Sequence, residues 1–220
     1  MIDAVVFDLD GVLVDSEPVW SAAREQLVRE RGGSWRADAT RAMMGMSSLE
    51  WSRYMHDELG VDLPPDAISR AVVERMAGLY RERLPLIPGA REAVVSVAER
   101  WRLGLASSAN RELIDLVLEL AELRPFFEVT VSSEQVPHGK PAPDVYLEVA
   151  RRLGVRPARC AAVEDSSNGL RSAAAAGLVV VAVPNREFPP AQDALALATV
   201  VLGSLDGLRP GLLQGLGGGG

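Results

Sequence analysis

Lysine is almost missing from this 220-residue chain. It holds 23 basic side chains, and all but Lys140 are arginine. Cysteine is as scarce: Cys160 is the only one, which excludes an internal disulfide and points to a reducing compartment. Histidine occurs twice, as His56 on a helical pattern and His138 in a loop, and both read as ordinary exposed residues. No apolar run is long enough to span a bilayer. The longest, AAAAGLVVVAVP, is interrupted by Gly177. The N-terminus reaches Asp3 at once and lacks a basic region followed by an apolar stretch, so no secretory signal is expected. Runs of positive charge are also absent. With a net charge of −7 and scattered arginines, a nucleic-acid partner is not expected. These absences predict a cytoplasmic protein with no membrane, and the acidic surface with its scattered charges predicts a monomer.

What is present reads as globular: 48% hydrophobic and 24% charged residues. Six short apolar runs stop abruptly at polar residues, at 4–8, 103–107, 128–132, 160–165, 179–183 and 199–202. Runs of this kind, rich in Val and Ala, predict parallel strands buried on both faces. Amphipathic helical patterns lie between most of them, with Gly154 and Gly177 at expected helix ends. The alternation predicts an α/β fold with a doubly wound, Rossmann-like parallel sheet. One interval breaks the rhythm. More than ninety residues separate the first two strands, far more than a single crossover needs. Helical patterns at 17–31, 38–44, 48–58 and 65–83 predict an inserted α-helical cap domain over 16–86. The core would then comprise 1–15 and 87–208. The Gly-rich segment 209–220 is expected to be disordered.

In open α/β sheets, ligands bind beyond the carboxyl ends of the strands. The first strand ends in Asp8 and Asp10, the second in Ser107, Ser108 and Asn110, and the fourth in Glu164 and Asp165. Lys140 follows the third, in VPHGKPAPD. Four carboxylates in one place repel each other and call for cations. A hard divalent cation with oxygen ligands, typically Mg²⁺, suits them. Lys140 adds a compact charge on a flexible stem, which an arginine fork does not provide. The Ser107 hydroxyl, with N–H groups at a helix start, suits an anion. Together these groups fit a phosphoryl group in transfer. Asp8 is placed to attack phosphorus and form an aspartyl-phosphate, and Asp10 to act as acid and base. Gly11 allows the tight turn between them and the hinge. Asn110 reads mostly as a helix cap. Asp15 and Glu17 read as structural hinge residues, and Met43, Met44 and Met46 as cap packing.

At these residues the chain resembles the haloacid dehalogenase superfamily, in its phosphatase branch with a small helical cap. DLDGVLVDSEP resembles that family's first motif, LASSAN the second, GKPAPD the third and EDSSNG the fourth, together covering about residues 3–204. The resemblance implies Asp8 as nucleophile, Asp10 as acid/base, and Ser107, Ser108 and Lys140 around the phosphate. It implies Mg²⁺ on the Asp8 carboxylate, the Asp10 backbone carbonyl and Asp165, with Glu164 close by. Asp10 argues for phosphate esters over halides or phosphonates. The function expected is therefore a Mg²⁺-dependent phosphatase for a small phosphorylated metabolite, a sugar phosphate among the options. The alternative is a phosphomutase of the β-phosphoglucomutase type. Against it, Ser48 stands where that enzyme's cap arginine would be and Trp20 where its hinge histidine would be, although Arg41 or Arg53 could reach the same space. A non-catalytic binding module on the same fold is a distant third reading, disfavoured because both Asp8 and Asp10 are present. Candidates for substrate contact are Trp20, Gly45, Met46, Ser47 and Ser48.

Overall fold

The computed structural model describes residues 1–44 and 46–216. Six strands form one sheet: β1 (Ala4–Phe7), β2 (Arg102–Ser107), β3 (Phe127–Ser132), β4 (Cys160–Glu164), β5 (Val179–Ala182) and β6 (Val200–Val201). Their order is β3-β2-β1-β4-β5-β6, and every pairing is parallel. β1 lies centrally, with Val5 opposite Leu103 on one side and Ala161 on the other. The chain winds outward from β1 to β3, then returns to β4 on the other flank. That reversal opens a crevice at the carboxyl ends of β1 and β4, where such sheets bind ligands.

Alternate strand residues feed two apolar layers. Val5 and Phe7 of β1 face one layer with α5 (Ala90–Ala98) and α6 (Arg111–Leu120). Ala4 and Val6 face the other with α7 (Asp144–Leu153) and α8 (Ser167–Ala175). Both faces are therefore covered, as the unbroken apolar strand sequences require.

Between β1 and α5 the chain forms α1 (Glu17–Glu30), α2 (Ala39–Met43), α3 (Ser48–Asp57) and α4 (Pro65–Glu82). These helices bury Leu27, Trp51, Met55, Ile68 and Met76 among themselves, continuous with the layer beneath β1. The chain enters and leaves the insertion through adjacent segments. Val14 makes an antiparallel bridge to Leu86, the Asp15 N–H donates to the Pro85 carbonyl at 2.9 Å, and the Ile87 N–H donates to the Leu13 carbonyl at 3.0 Å.

The C-terminal segment differs from expectation. Residues expected to be disordered form α10 (Pro210–Leu216), after the short α9 (Gln192–Leu195), and only 217–220 lie outside the described residues. Leu213 is fully buried in the layer that holds Leu205 and Leu208. Burial of that leucine outweighs the low helix propensity of Gly211 and Gly215, as tertiary contact commonly does.

Candidate active site

Asp8 follows β1 directly, its N–H continuing the ladder to the Val163 carbonyl at 3.0 Å. Its side chain is buried, with Oδ1 accepting a hydrogen bond from Lys140 at 2.8 Å. Among the described residues Oδ2 has no hydrogen bond. Lys140 Nζ also donates to Glu164 Oε1 at 2.6 Å and to the Ala106 carbonyl at 3.1 Å. An ammonium has three protons, and all three are used. The Tyr146 ring lies under it, 5.1 Å from Nζ to the centroid. This is what the lone lysine is for: a buried point charge joining three strand ends.

Glu164 is held more completely than any other carboxylate here. Oε1 accepts from Lys140 and from the Tyr146 hydroxyl at 3.0 Å. Oε2 accepts from the Asp165 and Ser166 N–H groups at 3.0 and 3.1 Å and from the Ser166 hydroxyl at 3.1 Å. Ser166 Oγ in turn accepts from the Gly169 N–H and caps α8. The space for this carboxyl is made by Gly169: a Cβ there would lie 1.7 Å from Glu164 Oε1.

Asp165 is the opposite case. It is buried, and its Oδ1 has no hydrogen-bond partner. A Cβ on Gly11 would lie 2.0 Å from its Oδ2, and Gly11 has φ +79° as well, so the turn and the close approach both require glycine. Carboxylate oxygens of Asp8, Glu164 and Asp165 come within 4.8 Å of one another. Three buried acids around an orphaned oxygen form a donor set that fits a hard divalent cation. Asp8 and Asp165 have the free oxygens for it. Glu164, expected among the ligands, belongs to the cluster, and its two oxygens also accept from five donors, Lys140 among them. The Asp10 side chain is not part of this acidic cluster.

Burial pushes the Asp8 carboxyl up to about 8, against the pull of Lys140 and with further upward pressure from Glu164 and Asp10. Burial, then Glu164 and Asp8, likewise hold Asp165 well above the usual carboxylate range. Burial alone would lower Lys140, but Asp8 and Glu164 more than offset it and keep the ammonium above its ordinary value.

Asp10 faces the same crevice from the next turn. Its Oδ2 accepts from Ser107 Oγ at 3.3 Å and its Oδ1 from Trp20 Nε1 at 3.4 Å. Ser107 is fully buried and also accepts from the Ala109 N–H at 3.0 Å. A cleft is lined by Asp8, Asp10, Ser108, Lys140 and Asp165 from the sheet side. From the helical side come Glu17, Trp20, Arg24, Met43, Met44, Met46 and Trp51.

The substrate-contact candidates divide. Trp20 and Met46 line the cleft. Ser47 and Ser48 do not. Ser47 caps α3 in a reciprocal pair with Glu50: its N–H donates to Glu50 Oε2 at 2.7 Å, and its Oγ accepts from the Glu50 N–H at 3.4 Å. The pattern SSLE carries that capping signature and explains the serine without a ligand. Gly45 lies outside the described residues. Arg41 lines a separate surface groove with Asp38 and Glu187, and neither it nor Arg53 lines the cleft.

A family model described as haloacid dehalogenase-like hydrolase matches residues 2–177. The chain belongs to that family. Hexitol phosphatase B of Escherichia coli K12 is 37% identical over 215 residues, covering 92% of each chain. A phosphorylated carbohydrates phosphatase of Thermotoga maritima is 34% identical over 179 residues, covering 80% of this chain and 82% of that one. Among solved structures, CbbY of Rhodobacter sphaeroides in complex with phosphate superposes with a TM-score of 0.87 at 28% identity, over 97% of this chain and all of that one.

For this haloacid dehalogenase-like hydrolase, several cleft or site residues carry no signal that singles them out in the sequence, Asn168 and Asn185 among them. Glu17 was expected to be structural, yet it lines the cleft with Oε1 buried and unpartnered. Burial raises its carboxyl, against Arg24. Arg24 and Trp51 join the cleft from α1 and α3, and Tyr146 reaches Glu164 from α7. The spacing of Glu17 and Arg24, two helical turns apart, was the available signal for placing both on one face.

Proposed function

We propose that this chain is a Mg²⁺-dependent phosphatase that hydrolyses a small phosphorylated metabolite through an aspartyl-phosphate on Asp8. The observation that carries the reading is the buried Lys140, bonded at once to Asp8 and Glu164, beside an Asp165 with an unpartnered oxygen. A cation fixed against a carboxylate suits a nucleophile that must attack an anionic phosphoryl group. The phosphatase names of the relatives, and their carbohydrate and hexitol substrates, support a sugar phosphate or close analogue.

In this reading one Asp8 carboxylate oxygen attacks phosphorus and the other is left for the cation. Asp10 gives a proton to the departing ester oxygen. It then takes one from a water that attacks the aspartyl-phosphate, which releases inorganic phosphate and restores Asp8. Trp20 and Ser107 hold the Asp10 carboxyl toward the reacting atoms. Ser108, which lines the cleft, faces the phosphate. Mg²⁺ on Asp8, Asp165 and the Asp10 carbonyl would supply positive charge that keeps Asp8 ionised and draws the phosphoryl oxygens into place. The helices over 16–86 act as the cap that shuts water out.

The deciding measurement is ³¹P NMR of the protein with Mg²⁺ and a panel of sugar phosphates. Growth of inorganic phosphate is expected, abolished in Asp8→Asn. Conversion of one ester into another without free phosphate would instead establish a phosphomutase.

A further inference from the structure

Among the described residues, no side chain pairs directly with the buried charge of Arg24. Its side chain is 5% exposed and lies on the face of α1 that lines the catalytic cleft. The guanidinium is stacked against two indoles, 4.6 Å from the Trp20 ring centroid and 5.0 Å from that of Trp51. Among the described residues it makes no hydrogen bond and no ion pair, and its Nε is buried with no partner. Glu17 and Asp10 are near enough to act on it through space, but burial outweighs both and lowers the group to about 10. Indole faces hold a cation's plane, yet they do not neutralise its charge or satisfy its N–H donors. A buried, unpaired charge is costly, so the cleft holds a cation whose donors still lack an acceptor.

We infer that Arg24 reads the end of the substrate remote from the phosphate, and that this end carries a carboxylate. The substrate class is then a phosphorylated sugar acid or other hydroxy-carboxylate, which deepens the phosphatase reading and rests on it. The two ring centroids are only 5.9 Å apart, so both rings lie on one side of the guanidinium and leave the rest of its fork for ligands, and a carboxylate matches that fork in plane and in charge. A neutral hydroxyl would satisfy a donor but leave the cation unbalanced. A second phosphate would bring a dianion beside the Glu17 carboxyl, which also faces the cleft.

The test compares esters that differ only in their remote carbon, carboxylate against hydroxymethyl, at three chain lengths. The pairs are 3-phosphoglycerate with glycerol 3-phosphate, 4-phosphoerythronate with erythritol 4-phosphate, and 6-phosphogluconate with sorbitol 6-phosphate. In at least one pair the wild-type enzyme is expected to favour the carboxylate by about tenfold or more in kcat/KM, chiefly through KM. In Arg24→Met that preference should fall to within about threefold of parity, and Arg24→Lys should keep part of it. A residue that only packs against the two indoles would lower both members of a pair alike. That result would overturn the inference, as would a wild-type ratio near one in every pair or a preference for the matching bisphosphate. Calorimetric titration of the same pairs into Asp8→Asn reads the discrimination without turnover. No carboxylate preference there also overturns the inference. A preference there, with no phosphate released by the wild type from any ester or from acetyl phosphate, overturns the phosphatase reading alone.

Discussion

Asp8 has to carry a negative charge in a place that disfavours one. Its carboxyl is pushed from 3.8 up to about 8 by burial, so the folded protein without metal binds a proton there more tightly than the unfolded chain does. The sign follows by linkage. Stability from this group is fully present below about pH 4 and is lost as pH rises toward 8. Asp165 shifts the same way and adds to the loss. Metal-free protein should therefore melt at lower temperature at pH 8 than at pH 5.5. Asp8→Asn, which has no proton to lose, should exceed the wild type at pH 8 by more than about 3 °C, and the gap should close toward pH 5.5. Added Mg²⁺ should raise the wild-type Tm more at pH 8 than at pH 5.5. Differential scanning fluorimetry across that range, with and without chelator, checks all three outcomes.

Two helices position the site, and each has a fragile point. At the start of α8, Gly169 leaves the space in which the Glu164 carboxyl sits. Gly169→Ala should displace Glu164 and with it Lys140. Overpacking of this kind costs about 1–3 kcal/mol, and the phosphatase rate should fall further than stability does. Urea melts paired with kcat separate the two effects. At the start of α6, Asn110 sits at the cap position but its side chain makes no capping bond there. Glu134 does that work across the loop: its Oε1 accepts from Asn110 Nδ2 at 2.5 Å and its Oε2 from the Arg111 N–H at 3.2 Å. Glu134→Ala should cost about 1 kcal/mol of stability, as lost caps do, read in the same melts. The difference between these helices is instructive. Ser166 and Ser47 cap locally, and the local pattern shows it. The cap of α6 comes from 24 positions along the chain, and no pattern around Asn110 indicates Glu134. The strand ends were legible for a related reason: an apolar run that halts at a polar residue is a local signal, and Asp8, Ser107 and Glu164 all stand at such halts. Arg24 was not legible, because its meaning depends on Trp51 from another helix and on the absence of any partner.

At the scale of the molecule, the sheet and both its apolar layers followed from periodicity, whereas the C-terminus did not. Its glycines suggested a loose end, yet α10 closes the bottom of one layer with Leu213. Leu213→Ala should destabilise the whole protein by about 2–5 kcal/mol, the usual range for a fully buried leucine, measured by denaturant unfolding. The paired segments at the base of the insertion have a kinetic meaning too. Ala4 must find Arg102 for β1 and β2 to align, a search across nearly half the chain, and distant pairings of this kind slow folding. If α1–α4 fold first and their two ends are clasped at Val14 and Leu86, the chain left to search is no longer than an ordinary strand–helix–strand crossover. The long detour then costs the sheet little time.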